Sequence, residues 1–389
     1  MARSRSIKFI ITVNRQLGKL WEFGLRLVYD SQYRKLYRNT LKQFPKLHFS
    51  RKEIEAYKKK WGVLGHVNPI HYKLFSHHIG RNIDIVPEDL SHRVIESILN
   101  PTKFRAPFED KNMFDKILGK EMTPQTIVRS IEGYLYDDNY KAIPSFTDFD
   151  LKKMITNNKR VVAKATLESC SGDDVLIFEK MSNDTWIVLG EQKYELSIDI
   201  LNKRLGENWI VQEYLEQHEF MNRLCPTSVN TLRMLVYRSV KDNEVHLLHT
   251  GVRIGHSGSI LDNSHQGGLY VALNKDGHFN NYLTDQFCLR FTKHNGLDFT
   301  KEDMRMPYWE DIVEFAKEVG RRIPYHRCLN LDVMLRKNGM PVLIEFNIGT
   351  MSTWLFQPNS GSCFGEFTDE IIEYCQLHKN EIVSRYLYV

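Results

Sequence analysis

The sequence predicts an α+β fold in which a helical N-terminal region precedes a sheet-rich core. Residues 51–105 have apolar residues at helical spacing and are interrupted by Pro69, Pro87 and Pro101, which is typical of short helices joined by turns. After Pro107 the pattern changes to segments rich in β-branched and aromatic residues that alternate with helical segments. With 389 residues, of which 42% are hydrophobic, the chain is long enough to form two or three lobes.

The first 43 residues are strongly basic. They contain ten Lys and Arg residues, and the acids among them are Glu22 and Asp30. Apolar and aromatic residues lie between the basic ones, which indicates a basic amphipathic helix or a pair of such helices. Most helices of this kind pack their apolar side on their own protein, whereas some lie on an anionic membrane. Peripheral membrane contact through residues 1–43 is therefore the less common alternative.

The composition does not indicate a membrane-spanning, secreted or zinc-stabilised protein. No run approaches the roughly 18 apolar residues of a membrane span, and the start lacks the pattern of a signal peptide. The six cysteines form no CxxC pair, so neither a disulfide framework nor a structural zinc site is expected. We expect a cytoplasmic protein, either free or peripheral at the inner membrane face, with no nucleic-acid partner.

Local periodicity predicts the elements of the core. Seven segments are predicted to be strands: residues 160–165, 175–178, 209–214, 231–240, 244–253, 329–335 and 341–346. Residues 308–319 place apolar side chains at helical spacing, and this helix is predicted to pack on the sheet. A final helix near residues 368–378 is predicted to close the same core.

A β-hairpin is predicted around Asn338-Gly339, which separates two runs of alternating residues. Asn-Gly is the strongest short signal for a two-residue type I′ turn. In that register Asp332 lies opposite Glu345, with Cβ atoms about 4.5–5.5 Å apart. The core face is predicted to carry the alternate apolar residues Leu331, Val333, Leu335, Val342, Ile344 and Phe346.

The other face of this hairpin is predicted to carry Asp332, Glu345 and Asn347. Facing carboxylates repel each other and destabilise a hairpin unless a cation lies between them. An incomplete set of oxygen ligands suits Mg²⁺, which keeps waters and phosphate oxygens in its coordination shell. The hairpin therefore predicts a magnesium–nucleotide site, and the alternative is a solvated face whose acids keep the protein soluble.

The pattern of Asp332 followed by Glu345-x-Asn347 resembles the metal-binding end of ATP-grasp enzymes. Three upstream segments extend this resemblance. They are residues 110–124, 161–172 and 210–215, which resemble in that order the opening DK segment, the lysine strand with its phosphate loop, and the hinge strand that meets adenine.

A more specific resemblance lies in residues 228–233, 252–255, 262–263 and 267–268, which look like the sugar-transfer-associated ATP-grasp family. That family is similar to α-L-glutamate ligases, and the resemblance covers roughly residues 50–380. It implies an ATP-grasp fold, in which two α+β subdomains grip ATP, with an N-terminal helical lobe. The implied boundaries are 1–105 for the basic and helical region and 106–380 for the catalytic domain, divided into 106–220 and 221–380.

The resemblance implies ATP and Mg²⁺ as cofactors. The implied metal ligands are Asp332, Glu345 and Asn347. The implied nucleotide contacts are Lys111, Lys164, Ser171, Gln212, Glu213, Leu215 and Glu219. Lys116 remains an alternative to Lys111, because nothing in the sequence separates them. The alternatives for Lys164 and Glu219 are a lysine that extends from a sheet edge and a solvated acid.

The resemblance also implies an acceptor site. Arg233 and Arg253 are the implied catalytic residues, with Arg233 beside the transferred phosphoryl group. The implied substrate-binding residues are Asn230, Asn263, Gly267 and Gly268. The alternative for Arg233 is a structural salt bridge. For Arg253, Asn263 and the Gly267-Gly268 pair it is an ordinary turn with a surface arginine.

The implied reaction is that of an ATP-dependent carboxylate–amine ligase. Mg·ATP would activate a small-molecule or glycan-linked carboxylate as an acyl phosphate, which an amine then attacks, in the biosynthesis of cell-surface or capsular polysaccharide. Two alternatives stay open. One is an ATP-grasp kinase that phosphorylates a hydroxyl, and the other is a nucleotide-binding regulator of polysaccharide assembly.

Overall fold

Two large antiparallel sheets, one two-stranded sheet and two groups of helices make up the part of the chain that the structure describes. The structure is a computed structural model, and it describes residues 24, 27, 35–167, 175–182, 185–189, 193–256, 258, 267–349 and 351–379. Most of the basic segment 1–43, Ser171 and Asn263 lie outside the described residues. Within the described ranges, no helix is both long enough and apolar enough to cross a membrane.

The helices have the following bounds: α1 Arg51–Gly62, α2 Ile70–Ile79, α3 Glu88–Leu90, α4 Glu96–Leu99, α5 Ala106–Glu109, α6 Phe114–Leu118, α7 Asp148–Met154, α8 Ile198–Leu205, α9 Glu219–Leu224, α10 Trp309–Arg322, α11 Thr353–Ser360 and α12 Thr368–His378. A π-helical turn, Ser91–Ile95, joins α3 to α4. Short 3₁₀ turns occur at Thr102–Phe104, Lys111–Met113, Lys120–Met122 and Gly365–Phe367.

The strands have the following bounds: β1 Thr126–Ile131, β2 Tyr134–Tyr136, β3 Arg160–Ala165, β4 Val175–Lys180, β5 Trp186–Val188, β6 Trp209–Glu213, β7 Thr231–Arg238, β8 Val245–Ile254, β9 Leu269–Leu273, β10 Leu283–Thr284, β11 Arg290–Phe291, β12 Lys293–His294, β13 Leu297–Asp298, β14 Cys328–Leu335 and β15 Pro341–Asn347. All seven predicted strands are confirmed to within a few residues.

The described residues fall into two compact units. Unit 1 holds the residues up to Thr102, the short segment Ser239–Asn243 and the residues from Gly349 onward. Unit 2 holds Lys103–Arg238 and Glu244–Ile348. The C-terminal residues therefore group with the N-terminal helices, a division that the predicted boundaries at 105 and 220 did not include.

Unit 1 is helical, as the sequence predicts. Helix α1 begins at a capping box, because the side chain of Ser50 accepts from the Glu53 amide and the Glu53 carboxylate accepts from the Ser50 amide. Helix α11 packs against α2, and α12 packs against α4 and the π-helical turn. The predicted helix 368–378 is thus confirmed, but the prediction that it closes the sheet-rich core is wrong. The spacing of its apolar residues predicts that one face of the helix is buried, but it does not identify the surface against which that face packs.

Sheet 1 of unit 2 has the strand order β2-β1-β6-β3-β4-β5 among the described residues. One face of this sheet packs on α7 and α8 through a core that includes Val161, Ala163 and Val211. Because side chains alternate along a strand, Lys164 and Gln212 belong to the opposite face. Sheet 1 therefore separates a covered apolar face from a face that carries polar side chains.

Sheet 2 of unit 2 has the strand order β11-β10-β9-β8-β7-β14-β15 in the described part. Helix α10 covers one face, where Ile312, Ala316 and Val319 join the apolar core of the sheet. The predicted packing of residues 308–319 on the sheet is therefore confirmed. The residues predicted to face a metal lie on the opposite side of sheet 2.

The turn between β14 and β15 differs from the prediction. Gly339 has a φ of 84°, whereas Asn338 is not among the residues with positive φ, so the turn is not type I′. The amide of Arg336 donates to Met340 O at 3.0 Å, and the Gly339 amide donates to Arg336 O at 2.9 Å. The loop therefore has three residues, 337–339, with glycine in the left-handed position.

A β-bulge next to Asp332 offsets the longer loop. Near the turn the pairs are Leu335 with Pro341, Met334 with Val342 and Val333 with Leu343, so the predicted pairs in this half are wrong. Beyond the bulge the pairs are Asp332 with Glu345, Leu331 with Phe346 and Asn330 with Asn347, as predicted. Ile344 is the additional residue on the bulged strand. As a result Leu343, rather than Val342 or Ile344, joins the core with Phe346.

Candidate active site

A row of side-chain positions crosses five strands of sheet 2 on the face away from α10. In register order these positions are Ala272, Gly251, Arg233, Asp332 and Glu345. Gly251 is required in this row, because a Cβ atom there would lie 2.2 Å from the ring of Tyr270. The row brings a predicted catalytic arginine next to Asp332, and Glu345 follows on the next strand.

Asp332 lies between Arg233 and Glu345 in this row and is buried, with 3% of its surface exposed. Arg233 Nε lies 3.0 Å from Asp332 Oδ1, and Arg253 Nη2 lies 3.2 Å from the same oxygen. Arg253 is also held by Thr231, whose hydroxyl accepts from its Nε at 3.1 Å and its Nη2 at 2.8 Å. The structure therefore brings both predicted catalytic arginines together on one predicted metal ligand.

Glu345 is less buried than Asp332 and contacts Lys111. Lys111 Nζ lies 3.1 Å from Glu345 Oε1, and the lysine side chain is itself 8% exposed. Asn347 lies two residues further along β15, so it belongs to the same face, and it pairs with Asn330 of β14. Among the described residues, no group of three or more His, Cys, Asp or Glu side chains forms a metal site. The predicted set has two carboxylates and one amide.

Lys164 projects from sheet 1 to the bulged strand of sheet 2. Its Nζ lies 3.4 Å from the carbonyl oxygen of Ile344, the additional residue of the bulge. Burial is the main cause that lowers the pKa of Lys164 to about 8. The nearby charge of Lys111 acts in the same direction, and Glu345 opposes the shift. Two lysines from outside sheet 2 thus converge on residues 344 and 345.

The two lysines that the sequence could not separate lie in different surroundings. Lys111 lies in the site, next to Glu345 and close enough to Lys164 to affect its pKa. Lys116 Nζ instead lies 4.9 Å from the centre of the Tyr140 ring. The structure therefore places Lys111, and not Lys116, beside the predicted metal-binding hairpin.

The predicted adenine-binding hinge lies at the end of strand β6 and directly after it. Gln212 is buried and donates to Pro124 O at 3.2 Å. The Glu213 amide donates to Gln125 O at 2.9 Å, so this N–H group is used within the protein. Leu215 and the exposed Glu219 instead line an open, polar pocket of about 970 Å³. The pocket leaves Leu215 and Glu219 accessible to a ligand, unlike the amide of Glu213.

The predicted acceptor residues divide into buried and accessible positions. Asn230 is fully buried, and its Nδ2 donates to Cys225 O at 2.8 Å and to Met221 O at 3.0 Å. Its amide protons are used within the turn, which fits a structural role rather than the implied substrate contact. Gly267 is exposed with a φ of 89°, a conformation that favours glycine, and Gly268 is buried directly before β9.

A buried arginine beside the site was not among the sequence-based candidates. Arg129 of β1 is fully buried, and its Nη2 lies 2.5 Å from Asp115 Oδ2. The available signal was an arginine within the apolar run Ile127-Val128-Arg129-Ser130-Ile131. Burial of a charge in such a run requires a partner, but the sequence alone does not identify it.

Comparison with known proteins gives the family. The model of a family described as sugar-transfer associated ATP-grasp matches residues 91–370. The chain belongs to the sugar-transfer associated ATP-grasp family. The predicted α+β class and ATP-grasp fold are therefore confirmed, together with the N-terminal helical region. No curated protein sequence matches this ATP-grasp protein significantly.

Several solved structures are similar to this ATP-grasp protein. D-alanine-D-alanine ligase from Coxiella burnetii has 9% identity and a TM-score of 0.36, with 71% of this chain and 61% of that chain covered. L-amino acid ligase from Bacillus licheniformis has 11% identity and a TM-score of 0.33, with coverages of 69% and 47%. N5-carboxyaminoimidazole synthetase from Staphylococcus aureus, complexed with ADP, has 9% identity and a TM-score of 0.37, with coverages of 69% and 52%. The match therefore spans about half the length of the latter two proteins.

Proposed function

We propose that this ATP-grasp protein is a carboxylate–amine ligase that uses ATP to activate a carboxylate for attack by an amine. One observation carries the proposal. Arg233, Asp332 and Glu345 lie side by side on one face of sheet 2, and Lys111 and Lys164 reach residues 344 and 345 of the same hairpin. Cations suited to phosphate and carboxylates suited to a metal are thus present at one place.

The residues around Asp332 and Glu345 fit Mg²⁺. The donors are carboxylate and amide oxygens, which Mg²⁺ prefers, and their small number leaves room for water and phosphate oxygens. The two carboxylates are cross-strand neighbours, and each contacts a basic side chain that offsets its charge. Asp332, Glu345 and Asn347 would hold the ion. When bound there, magnesium would supply positive charge to the phosphate oxygens of the nucleotide.

The cationic side chains supply the remaining positive charge. We assign Lys111 and Lys164 to the phosphates of ATP, because both are buried beside the hairpin and neither lies on an open sheet edge. Arg233 and Arg253 are assigned to the transferred phosphoryl group and the acceptor carboxylate. A guanidinium group donates to two oxygens at once, so it suits both groups.

The rest of the nucleotide and the acceptor are assigned to the edges of the site. Gln212, Glu213 and Leu215 lie on or after strand β6, where the base would meet the hinge, and Glu219 would accept from the ribose hydroxyls. Ser171 would contact phosphate, and Asn263, Gly267 and Gly268 would lie over the acceptor. The pocket lined by Leu215 and Glu219 supports the first of these assignments.

The family description, which names sugar transfer, supports a role in polysaccharide biosynthesis. In this proposal the carboxylate or the amine belongs to a small molecule or to a glycan intermediate. The proposed location is the cytoplasm. The basic segment 1–43 would provide peripheral contact with an anionic membrane.

The test of the reaction supplies candidate carboxylates, including amino acids and uronic-acid glycans, with Mg·ATP and hydroxylamine. A ligase yields a hydroxamate and matching free phosphate, because hydroxylamine traps the acyl phosphate. We expect Arg233→Ala to reduce the rate roughly 10²–10³-fold, the usual effect of losing one charge-stabilising group. Arg321→Ala, which removes an arginine paired with Glu314 and Glu318 on α10, is the matched control and should change little.

A different product would contradict the ligase proposal. If every active acceptor instead carries a stable phosphate ester, with no hydroxamate and no free phosphate, the protein is an ATP-grasp kinase. The assignments of the metal ligands and of the lysines would not depend on this outcome, because both reactions transfer the same phosphoryl group.

A further inference from the structure

The position of Lys111 depends on contacts outside regular secondary structure. Lys111 begins the three-residue 3₁₀ turn Lys111–Met113. The carboxylate of Asp110 caps this turn by accepting from the Asn112 amide at 2.9 Å. The Lys111 amide donates to Thr166 O at 3.1 Å, directly after strand β3. Such a short turn has little stability of its own, so neighbouring side chains must fix it.

Asn112 connects the turn to strand β1 and to Thr166, the residue directly after strand β3. Its Nδ2 donates to Ser130 O at 3.0 Å and lies 3.2 Å from Thr166 Oγ1. Its carbonyl oxygen accepts from Arg129 Nη1 at 2.5 Å and from the Tyr140 hydroxyl at 2.7 Å. Both the side chain and the backbone of the residue after Lys111 are therefore held.

Arg129 joins the turn to the helix that follows it. Besides the Asn112 carbonyl, its guanidinium contacts both carboxylate oxygens of Asp115 in α6, with Nη1 at 3.1 Å from Oδ1 and Nη2 at 2.5 Å from Oδ2. The ring of Tyr140 stacks on the same guanidinium at 3.9 Å, and the Tyr140 hydroxyl donates to Asp115 Oδ1. One buried side chain thus sets the end of the Lys111 turn relative to α6.

Arg129 also lies in register with the other lysine of the site. Both Arg129 and Lys164 pair with Ile210, on its two sides. Two steps between neighbouring strands separate the two positions by about 10 Å. Arg129 is therefore built into the same face of sheet 1 that carries Lys164, directly beneath the turn that carries Lys111.

The energetics favour a geometric role for this cluster. Replacing a buried ion pair with apolar residues is often neutral or stabilising, because both charges lose their hydration in the folded protein. Stability alone is therefore a weak explanation for Arg129 and Asp115. A guanidinium with directional contacts to a carbonyl, a carboxylate and an aromatic ring instead fixes the relative position of these groups.

We propose that Arg129 is a positioning residue that, through Asn112, Asp115 and Tyr140, holds Lys111 in the orientation that binds nucleotide phosphate. This inference rests on the proposed function, because that assigns Lys111 to the phosphates. Arg129 itself is fully buried, so its side chain is not accessible to a ligand. Its effect on nucleotide binding must therefore pass through Lys111.

The test is a double-mutant cycle on the full-length protein. Calorimetry in the presence of Mg²⁺ measures the affinity of each variant for ADP and for adenosine. Lys111→Ala should weaken ADP binding roughly tenfold or more and leave adenosine binding unchanged, since a hydrogen bond to a charged group contributes about 1.5–3 kcal/mol. Arg129→Met with Asp115→Leu removes both buried charges and should weaken ADP by a similar factor. On the Lys111→Ala background, the same double replacement should have no further effect.

A milder variant covers the case in which the double replacement disturbs folding. Tyr140→Phe removes only the hydroxyl that contacts Asn112 and Asp115, and it should weaken ADP binding about two- to threefold in the wild-type background alone. Tyr194→Phe is the matched control, because Arg204 stacks on Tyr194 in the same half of unit 2 at 5.2 Å, away from Lys111. It should leave ADP binding unchanged.

Three outcomes would overturn the inference. If the Arg129 and Asp115 replacements, or Tyr140→Phe, weaken ADP equally with and without Lys111, the cluster does not act through Lys111. If adenosine binding weakens as much as ADP binding, the effect is a general disturbance of the site. If Lys111→Ala itself leaves ADP binding unchanged, the proposed phosphate contact of Lys111 fails first, and the positioning role fails with it.

Discussion

Two buried aspartates of this ATP-grasp protein contact arginines in different ways. Asp115 has both carboxylate oxygens bonded, to a fully buried Arg129 and to Tyr140. Asp332 receives two arginines, and both contact Oδ1. The side chains of Arg233 and Arg253 keep 13% and 22% of their surface exposed. The cross-strand neighbour of Asp332 is a second carboxylate, whereas the side chains that contact Asp115 are those of Arg129 and Tyr140, and neither is acidic.

This difference separates a cluster that shapes the protein from one that is suited to a ligand. A carboxylate whose oxygens are all bonded to buried groups cannot take a new partner without breaking the fold around it. A carboxylate contacted at one oxygen by partly exposed guanidinium groups is able to exchange partners at lower cost. Replacements at the Asp115 cluster should therefore change stability most, and replacements at the Asp332 cluster should change turnover most.

The largest effect is expected for Arg129→Met. The replacement leaves the Asp115 carboxylate buried and uncompensated, which typically costs about 3–5 kcal/mol of unfolding free energy. Adding Asp115→Leu should recover most of this loss, because the uncompensated charge is then removed. Urea unfolding of the full-length variants measures both values. A loss for the single variant below about 1 kcal/mol would show that water reaches the Asp115 cluster, and the contrast with Asp332 would disappear.

The next effect is expected for Asp332→Asn. The amide keeps the size of the side chain but removes the charge that faces Glu345, so Mg-dependent ATP turnover should fall roughly 10²–10³-fold. The unfolding free energy should fall by less than for Arg129→Met, because Arg233 and Arg253 retain contact with water. Glu318→Gln is the matched control, since Glu318 also has two arginine partners, at 2.9 and 2.8 Å, but lies on α10. Wild-type turnover by a folded Asp332→Asn protein would rule out the metal assignment.

The smallest effect concerns the pH dependence of nucleotide binding. The pKa of Lys164 is about 8, mainly because the side chain is buried, so the free protein loses this positive charge as the pH rises through 8. Phosphate favours the charged form, so the complex has a higher pKa and binding takes up a proton. ADP affinity should therefore fall above pH 8, by at most about tenfold per pH unit. Lys164→Arg should flatten this dependence, because arginine does not titrate in this range.

Calorimetry with ADP between pH 7 and 9.5 measures this effect. If wild-type affinity stays constant across the range, Lys164 does not take up a proton when ADP binds, and its assignment to the phosphates loses this support. The same result would leave Lys111 and the Asp332 cluster as the support for a nucleotide site beside the hairpin.

The pairing of Asp332 with Glu345 was predictable from the sequence, because alternation and a strong turn signal fixed the approximate register. The loop length and the bulge were not predictable. Asn338-Gly339 fits both a two-residue type I′ turn and a three-residue loop with glycine in the left-handed position, and a bulge can offset a difference of one residue. Periodicity therefore identified the facing acids while assigning Val342 and Ile344 to the wrong face.

The contacts of individual side chains also could not be predicted from the sequence. Lys111 and Lys116 have similar neighbours along the chain, and the folded protein separates them because one meets Glu345 and the other meets Tyr140. Arg129 was missed for the same reason, since its partners Asn112, Asp115 and Tyr140 lie 11 to 17 positions away. The role of a charged residue within a strand depends on such tertiary contacts, and the periodicity of the sequence does not reveal them.

The β-bulge next to Asp332 divides the hairpin into a tip and a base that have different pairing registers. The pairs on the tip side of the bulge follow one register, and the pairs on the site side follow another that is shifted by one residue. The alignment of Asp332 with Glu345 therefore depends on the loop 337–339 and the bulge together, because the additional residue of the bulge offsets the additional residue of the loop. For protein engineering, a change at the tip would also act on the segment after β6, because the Lys337 amide donates to Glu216 O at 2.9 Å and Lys337 Nζ lies 2.8 Å from Glu216 Oε2.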